Sequence, residues 1–141
     1  MGIKIGTFKE KLEVKKGSKL VGYPNTETRF CKGTKGDIEV NGIILKDDKN
    51  IGCLISLDIL GIELSFTNKI REKIEKKFKI PFDNIMLCCS HTHSSMITIS
   101  RRFEPDKDFI NEIEKKILKG IEKGLKNIEE INVKWIKTEV D

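Results

Sequence analysis

Two histidines separated by one residue have the clearest capacity for chemistry in this chain. His91 and His93 are the only histidines among its 141 residues, and they stand between the apolar run 85–89 and the pair Ser94 and Ser95. Neutral imidazole is the commonest side-chain metal ligand, and its unperturbed pKa lies close to physiological pH. The sequence therefore predicts a reactive or metal-binding position at the end of a strand.

A carboxylate ends a second apolar run in the same way. Asp58 follows residues 51–57, and an amphipathic helix over residues 62–78 separates this run from the one before His91. Strand, helix and strand in this order predict a parallel pair with a right-handed crossover, whose carboxyl ends share one edge of the sheet. Ligands of open α/β sheets bind at that edge. We therefore expect Asp58 to lie close to His91 and to orient it as an outer-shell partner of a metal.

Other interpretations of these residues stay open. In an extended backbone the two imidazoles lie on one side, so either both bind one metal or one binds it while the other contacts substrate. A His-x-His at a strand end is also an ordinary polar termination, and Asp58 could cap the helix that follows. Cys89 shares the alternating face, either as a metal-binding thiolate or as a buried thiol.

The remaining elements predict an α/β fold with a mixed sheet, in which amphipathic helices pack against a strand-helix-strand parallel unit. The turn-type residues 47–50 favour an antiparallel hairpin between flanking strands. Gly120 and Gly124, in the second helix, indicate close packing or a frayed end. The predicted elements are a strand pair within residues 1–14, a long loop over 17–36, strands over 38–46, 51–57, 84–90 and 131–135, and helices over 62–78 and 106–127.

Composition narrows the classes of function. Charged residues make up 35% of the chain, but Lys and Glu alternate, so the net charge of +5 is spread over solvated helix faces, without a nucleic-acid-binding motif. Arg101 and Arg102 either bind an acidic group or belong to a solvated loop. The four cysteines lack paired metal-type spacing and are expected to be reduced thiols. No apolar segment is long enough to span a bilayer and the start lacks a signal peptide pattern, which predicts a cytoplasmic protein.

These segments resemble the amino-terminal region of the neutral/alkaline, non-lysosomal ceramidases. The resemblance is carried by Ser56-Leu57-Asp58-Ile59-Leu60-Gly61, by residues 80–87, by Ser90-His91-Thr92-His93-Ser94 and by Gly22-Tyr23, and it extends from Gly2 to the last predicted strand. It implies that His91 binds zinc and that His93 contacts the scissile group. It further implies hydrolysis of a ceramide-type amide by a zinc-activated water.

Departures from the family pattern suggest an incomplete site. Family members are much longer and take a later His, a Glu and a Tyr as further zinc ligands, whereas a catalytic zinc needs three protein ligands. Ser95 and Met96 replace a Gly and a Pro after the motif, and Gly36 replaces a His. We therefore predict a single zinc-dependent amide-hydrolase-like domain over residues 1–141, with catalytic residues His93 and Asp58. Its substrate is a small-molecule or lipid amide, and its site is completed by a second polypeptide or homo-oligomer. The alternatives are a non-catalytic domain or subunit that binds a metal or small ligand and, third, a polyanion-binding module.

Overall fold

The fold is α/β, as the sequence predicted, and consists of a five-stranded mixed sheet with two helices. The computed structural model describes residues 2–100 and 103–139. The strands lie in the order β4-β3-β2-β1-β5 across the sheet. In chain order the elements are β1 (Ile3–Leu12), β2 (Ile38–Lys46), β3 (Ile51–Leu57), α1 (Leu64–Phe78), a 3-10 turn (Phe82–Asn84), β4 (Ile85–Cys89), α2 (Lys107–Lys126) and β5 (Glu129–Ile131).

The predicted hairpin and the predicted crossover are both present. Strands β2 and β3 are antiparallel around a turn in which Asp47 Oδ1 accepts hydrogen bonds from Lys49 N (2.7 Å) and Asn50 N (2.6 Å). These backbone donors hold the pKa of Asp47 below its usual value. Strands β3 and β4 are parallel, and α1 connects them. Their carboxyl ends therefore lie at the same edge of the sheet.

The two terminal predictions were wrong in extent. Residues 3–12 form one strand instead of two short ones, because their pairing with β2 continues without a break from Lys4↔Lys46 to Leu12↔Ile38. The last strand ends at Ile131 instead of Trp135. It pairs with the first three residues of β1, and beyond Ile3 that strand offers no further partner. Trp135 consequently lies outside the sheet with 94% of its surface exposed.

Glycines allow α2 to approach the sheet closely, which confirms the packing interpretation of Gly120 and Gly124. A Cβ on Gly6 in β1 would lie 2.2 Å from the carbonyl oxygen of Gly124, and one on Gly120 would lie 2.2 Å from the Phe8 ring. The apolar side chains of both helices pack on this same face of the sheet. The fully buried side chains of this core include Ile70, Ile74, Phe109, Ile113, Ile117 and Ile121 from the helices and Ile44, Ile55, Leu57 and Ile85 from the strands.

Within residues 2–100 and 103–139, neither helix is both long and apolar enough to cross a membrane.

The buried carboxylate of Glu10 joins β1 to α2. Because of this ion pair, we expect the protein to lose stability in acid. Glu10 is 5% exposed, accepts a hydrogen bond from Lys123 Nζ and lies 3.6 Å from Lys119 Nζ. Burial by itself raises the pKa of Glu10, but the hydrogen bond and the positive charges of Lys123, Lys119 and Lys116 outweigh it, so the pKa falls below 4.5. Because the folded state holds the proton less tightly than the unfolded chain, the stabilisation is complete above that value. It is lost as the pH falls through the lowered pKa.

We therefore expect Glu10→Gln to destabilise the protein at neutral pH and to flatten the decline of stability on acidification. Urea unfolding followed from neutral pH to about pH 3 measures both effects. Glu72→Gln, at an exposed position of α1, is the matched control and should leave the pH profile of the wild type unchanged. An unaltered acid limb in Glu10→Gln would contradict the assignment.

Candidate functional site

The candidate site lies where the chain continues beyond the carboxyl ends of β3 and β4. Ser90 N donates to the carbonyl oxygen of Leu57 (3.0 Å), and His91 N donates to that of Ile59 (3.1 Å). These bonds extend the contact between the two segments past the last strand residues. The backbone of His91 is thereby fixed against residues 57–60, as the predicted parallel pair requires.

The two imidazoles meet, although not by the predicted geometry. His91 has a φ of 60°, in the left-handed region, so the motif turns instead of continuing as an extended strand. The ring centroids of His91 and His93 are nevertheless 5.1 Å apart, at an interplanar angle of 67°. A turn therefore brings the rings together where a straight strand was expected to do so.

A backbone carbonyl orients the His91 ring. Its Nδ1 lies 2.8 Å from the carbonyl oxygen of Leu60. Because a carbonyl oxygen only accepts hydrogen bonds, Nδ1 carries the proton, and the lone pair of Nε2 is available to a metal. Metal-binding histidines typically have this arrangement, with the second ring nitrogen donating to a carbonyl or a carboxylate.

Asp58 does not orient His91, contrary to the sequence-based expectation. Its Oδ2 accepts a hydrogen bond from Glu39 N (3.2 Å), and its own N donates to the carbonyl oxygen of Glu39 (3.0 Å). The Asp58 carboxylate therefore links the end of β3 to the start of β2, which is the neighbour of β3 on the side opposite to β4. It does not cap α1 either, because the cap position is Glu63 and no side-chain hydrogen bond caps that helix.

Both histidines line a cleft of about 730 Å³. Tyr23 lies beside them, with its ring centroid 5.0 Å from that of His93 in an edge-to-face contact. Glu63 brings a carboxylate to the wall, where its Oε1 accepts a hydrogen bond from Ser100 N (2.7 Å). The apolar lining consists of Val21, Pro24, Leu60, Ile62, Ile97, Ile99 and Phe103.

Most of this cleft was missed by sequence reasoning. Residues 21–26, residues 97–100 and Phe103 lie in irregular loops that have no periodic signal. The Gly22-Tyr23 pair was noticed only through the family resemblance and carried no predicted role. Arg101 and Arg102 lie outside the described residues.

The described residues bring two imidazoles together, which is fewer protein ligands than a catalytic zinc requires. His91 offers an oriented imidazole and His93 a second one nearby, but among residues 2–100 and 103–139 no group of three His, Cys, Asp or Glu side chains could hold a metal. Burial, and then the neighbouring Cys88, raise the pKa of the Cys89 thiol. This shift favours the thiol over a metal-binding thiolate. A catalytic zinc would therefore need at least one further ligand.

Comparison with known proteins places the fold. No family model and no curated protein matches the sequence. Among solved structures, a neutral ceramidase from Pseudomonas aeruginosa matches 92% of this chain at 15% identity, with a TM-score of 0.71. A ceramidase complexed with C2 matches the same share at 16% identity, with a TM-score of 0.70. The chain spans 22% of the length of each. The fold is therefore similar to that of part of a neutral ceramidase. At 15–16% identity, the comparison shows a similar fold alone.

Proposed function

We propose that this chain is a ceramidase-like hydrolase domain that acts on an N-acyl amide, including lipid amides. In this proposal His91 binds zinc through Nε2 and His93 faces the scissile amide. One observation carries it: two imidazoles meet in a cleft at the carboxyl edge of a parallel strand pair, in a fold shared with neutral ceramidases. Asp58 is not included in the catalytic set, because its carboxylate is bonded to the backbone of Glu39.

The residues of the cleft suit such a substrate. The Leu60 carbonyl holds the His91 ring in one tautomer, which is the form that a metal requires. His93 has ring nitrogens that can exchange a hydrogen bond with an amide, and the apolar lining, including Ile62, Ile97 and Ile99, suits an acyl chain. Zinc, when bound, would polarise a carbonyl and lower the pKa of a water.

Zinc titration and amide hydrolysis test the proposal together. We expect His91→Ala to weaken zinc binding by at least about 100-fold, the upper end of what loss of an outer-shell partner costs, and to abolish hydrolysis of a fluorogenic N-acyl amide. Thr92→Ala is the matched control, since Thr92 lies between the two histidines but does not line the cleft. Equal zinc affinity in His91→Ala and in the wild type would refute the metal role.

A non-catalytic domain that binds a metal or a small ligand is the second candidate. It is favoured by the lack of a three-ligand group among the described residues. Zinc binding that depends on His91, without turnover of the amide, would support this candidate over the hydrolase.

A second polypeptide or a second copy of the chain would complete the site in either case. One observation supports such a partner: one face of the sheet exposes a row of apolar side chains. Ile43, Leu54 and Met86 are neighbours in register there and are 37%, 41% and 58% exposed. Exposed apolar patches of this kind are typical of interfaces. Repeating the zinc titration at rising protein concentration separates a second copy from a different partner.

A further inference from the structure

Arg29 connects the early loop, residues 17–36, to the backbone of the histidine motif, residues 91–93. Its Nη1 donates a hydrogen bond to the carbonyl oxygen of Val21 (3.2 Å), and its Nη2 donates one to the carbonyl oxygen of His93 (3.1 Å). The two acceptors belong to segments that are far apart in sequence. One guanidinium therefore fixes the distance between them.

The same guanidinium also covers the Tyr23 ring. Arg29 Cζ lies 4.5 Å from the centroid of that ring, within the range of a cation–π contact. The Tyr23 ring in turn contacts the His93 ring, with a centroid distance of 5.0 Å, and the His93 ring contacts the His91 ring at 5.1 Å. Arg29 therefore contacts the histidine motif in two ways. It bonds the backbone of His93 directly, and it packs on the Tyr23 ring, which contacts the His93 imidazole.

Backbone contacts show that the loop is built to meet this motif. Val21 N donates to the carbonyl oxygen of Ser95 (3.1 Å), and Leu20 forms an isolated bridge with Met96. Without Arg29 these contacts would still join residues 20–21 to residues 95–96. They do not involve the Tyr23 ring or the His93 carbonyl, which Arg29 contacts directly, so the arginine adds a restraint to those given by these backbone contacts.

We propose that Arg29 is a positioning residue that holds the His93 imidazole in its cleft-facing orientation. It acts through Tyr23 and through the main chain, and it does not line the cleft itself. Arginine suits the role because its planar fork presents several donors in fixed directions and stacks on an aromatic ring at the same time. A lysine ammonium cannot span both carbonyls and cover the ring. The consequence for catalysis rests on the proposed function, whereas the orientation of His93 does not.

Nuclear magnetic resonance tests the orientation directly, since the chain has two histidines and one tyrosine to assign. In the wild type we expect nuclear Overhauser contacts between the Tyr23 and His93 rings. Arg29→Lys and Arg29→Gln should weaken these contacts and shift the His93 imidazole signals. Arg71→Lys is the matched control, because Arg71 also stacks on an aromatic ring, that of Phe82 at 5.3 Å, but on a different part of the surface. It should leave both histidine spectra unchanged.

Hydrolysis measured on the same variants separates the two proposals. We expect kcat to fall about tenfold or more in Arg29→Lys, with KM changed less, because misplacement of a reacting group costs rate. A wild-type chain that binds no zinc and hydrolyses no amide, but whose Tyr23–His93 contacts depend on Arg29, would defeat the proposed function alone. Wild-type contacts that persist in both folded Arg29 variants would overturn the positioning role. Arg29→Lys keeps the charge, so it remains informative if Arg29→Gln does not fold.

Discussion

Replacement of Gly6 by alanine is expected to destabilise the protein by about 3 kcal/mol, the upper end of typical overpacking costs. The added Cβ would lie 2.2 Å from the carbonyl oxygen of Gly124 and 2.8 Å from its carbon. Both atoms belong to the backbone of α2, so no side-chain rotation can relieve the contact. The helix would have to move away from β1, and with it the packing of Phe8 against Gly120 would be lost.

Gly52→Ala is the matched control, since Gly52 also lies in a strand. Its new Cβ would lie 3.1 Å from the carbonyl oxygen of Asn84, a distance that a small adjustment can accommodate. Both substitutions reduce the entropy of the unfolded chain by the same amount, so the difference between them reports the clash alone. Urea unfolding of the two variants beside the wild type measures this difference. Equal stabilities would show that α2 does not approach β1 this closely.

The elements that sequence predicted well are those specified by local signals. The turn chemistry of Asp47 fixed the hairpin, and the apolar periodicity fixed both helices to within two residues at each end. The parallel pair followed from chain order, since a strand-helix-strand unit has one favoured handedness. These local features are sufficient to predict that His91 lies at the carboxyl edge of the parallel strand pair.

The failures concern interactions that depend on a partner distant in sequence. Asp58 follows β3, but β3 has a neighbour on each side, and no residue pattern indicates that the carboxylate turns to Glu39 of β2 instead of to His91. The left-handed backbone of His91 is likewise unmarked, because such a conformation in a residue other than glycine arises from its tertiary contacts. The last strand ended early for the same reason, since its length depends on where β1 begins.

The cleft is the clearest example of a feature that depends on contacts between residues distant in sequence. Its histidines were found because they are the only two in the chain, whereas its walls come from loops of mixed composition that meet only in the folded protein. Glu63 and Ser100 are 37 residues apart and yet share a hydrogen bond at the wall. Candidate chemical groups are therefore readable from sequence, while the shape around them is not.

Gly22→Ala is expected to displace His93 and to disrupt the cleft. Gly22 has a φ of 113°, and a Cβ there would lie 2.5 Å from Cγ of His93 and 2.8 Å from its Cα. The substitution therefore forces the ring out of its place in addition to straining the backbone, which alone costs about 1–2 kcal/mol. If the chain acts as the proposed hydrolase, a shift of this size should lower the rate by on the order of 100-fold.

Gly17→Ala separates the two effects. Gly17 has a φ of 88°, so alanine strains the backbone there too, but its Cβ would meet nothing within 4 Å. We expect both variants to lose a similar part of their thermal stability through backbone strain, and only Gly22→Ala to shift the imidazole signals of His93 and to lower turnover. Identical histidine spectra in the two variants would mean that the early loop does not contact the motif. Because the imidazole signals are visible without substrate or zinc, this comparison decides how the cleft is built, whatever reaction takes place in it.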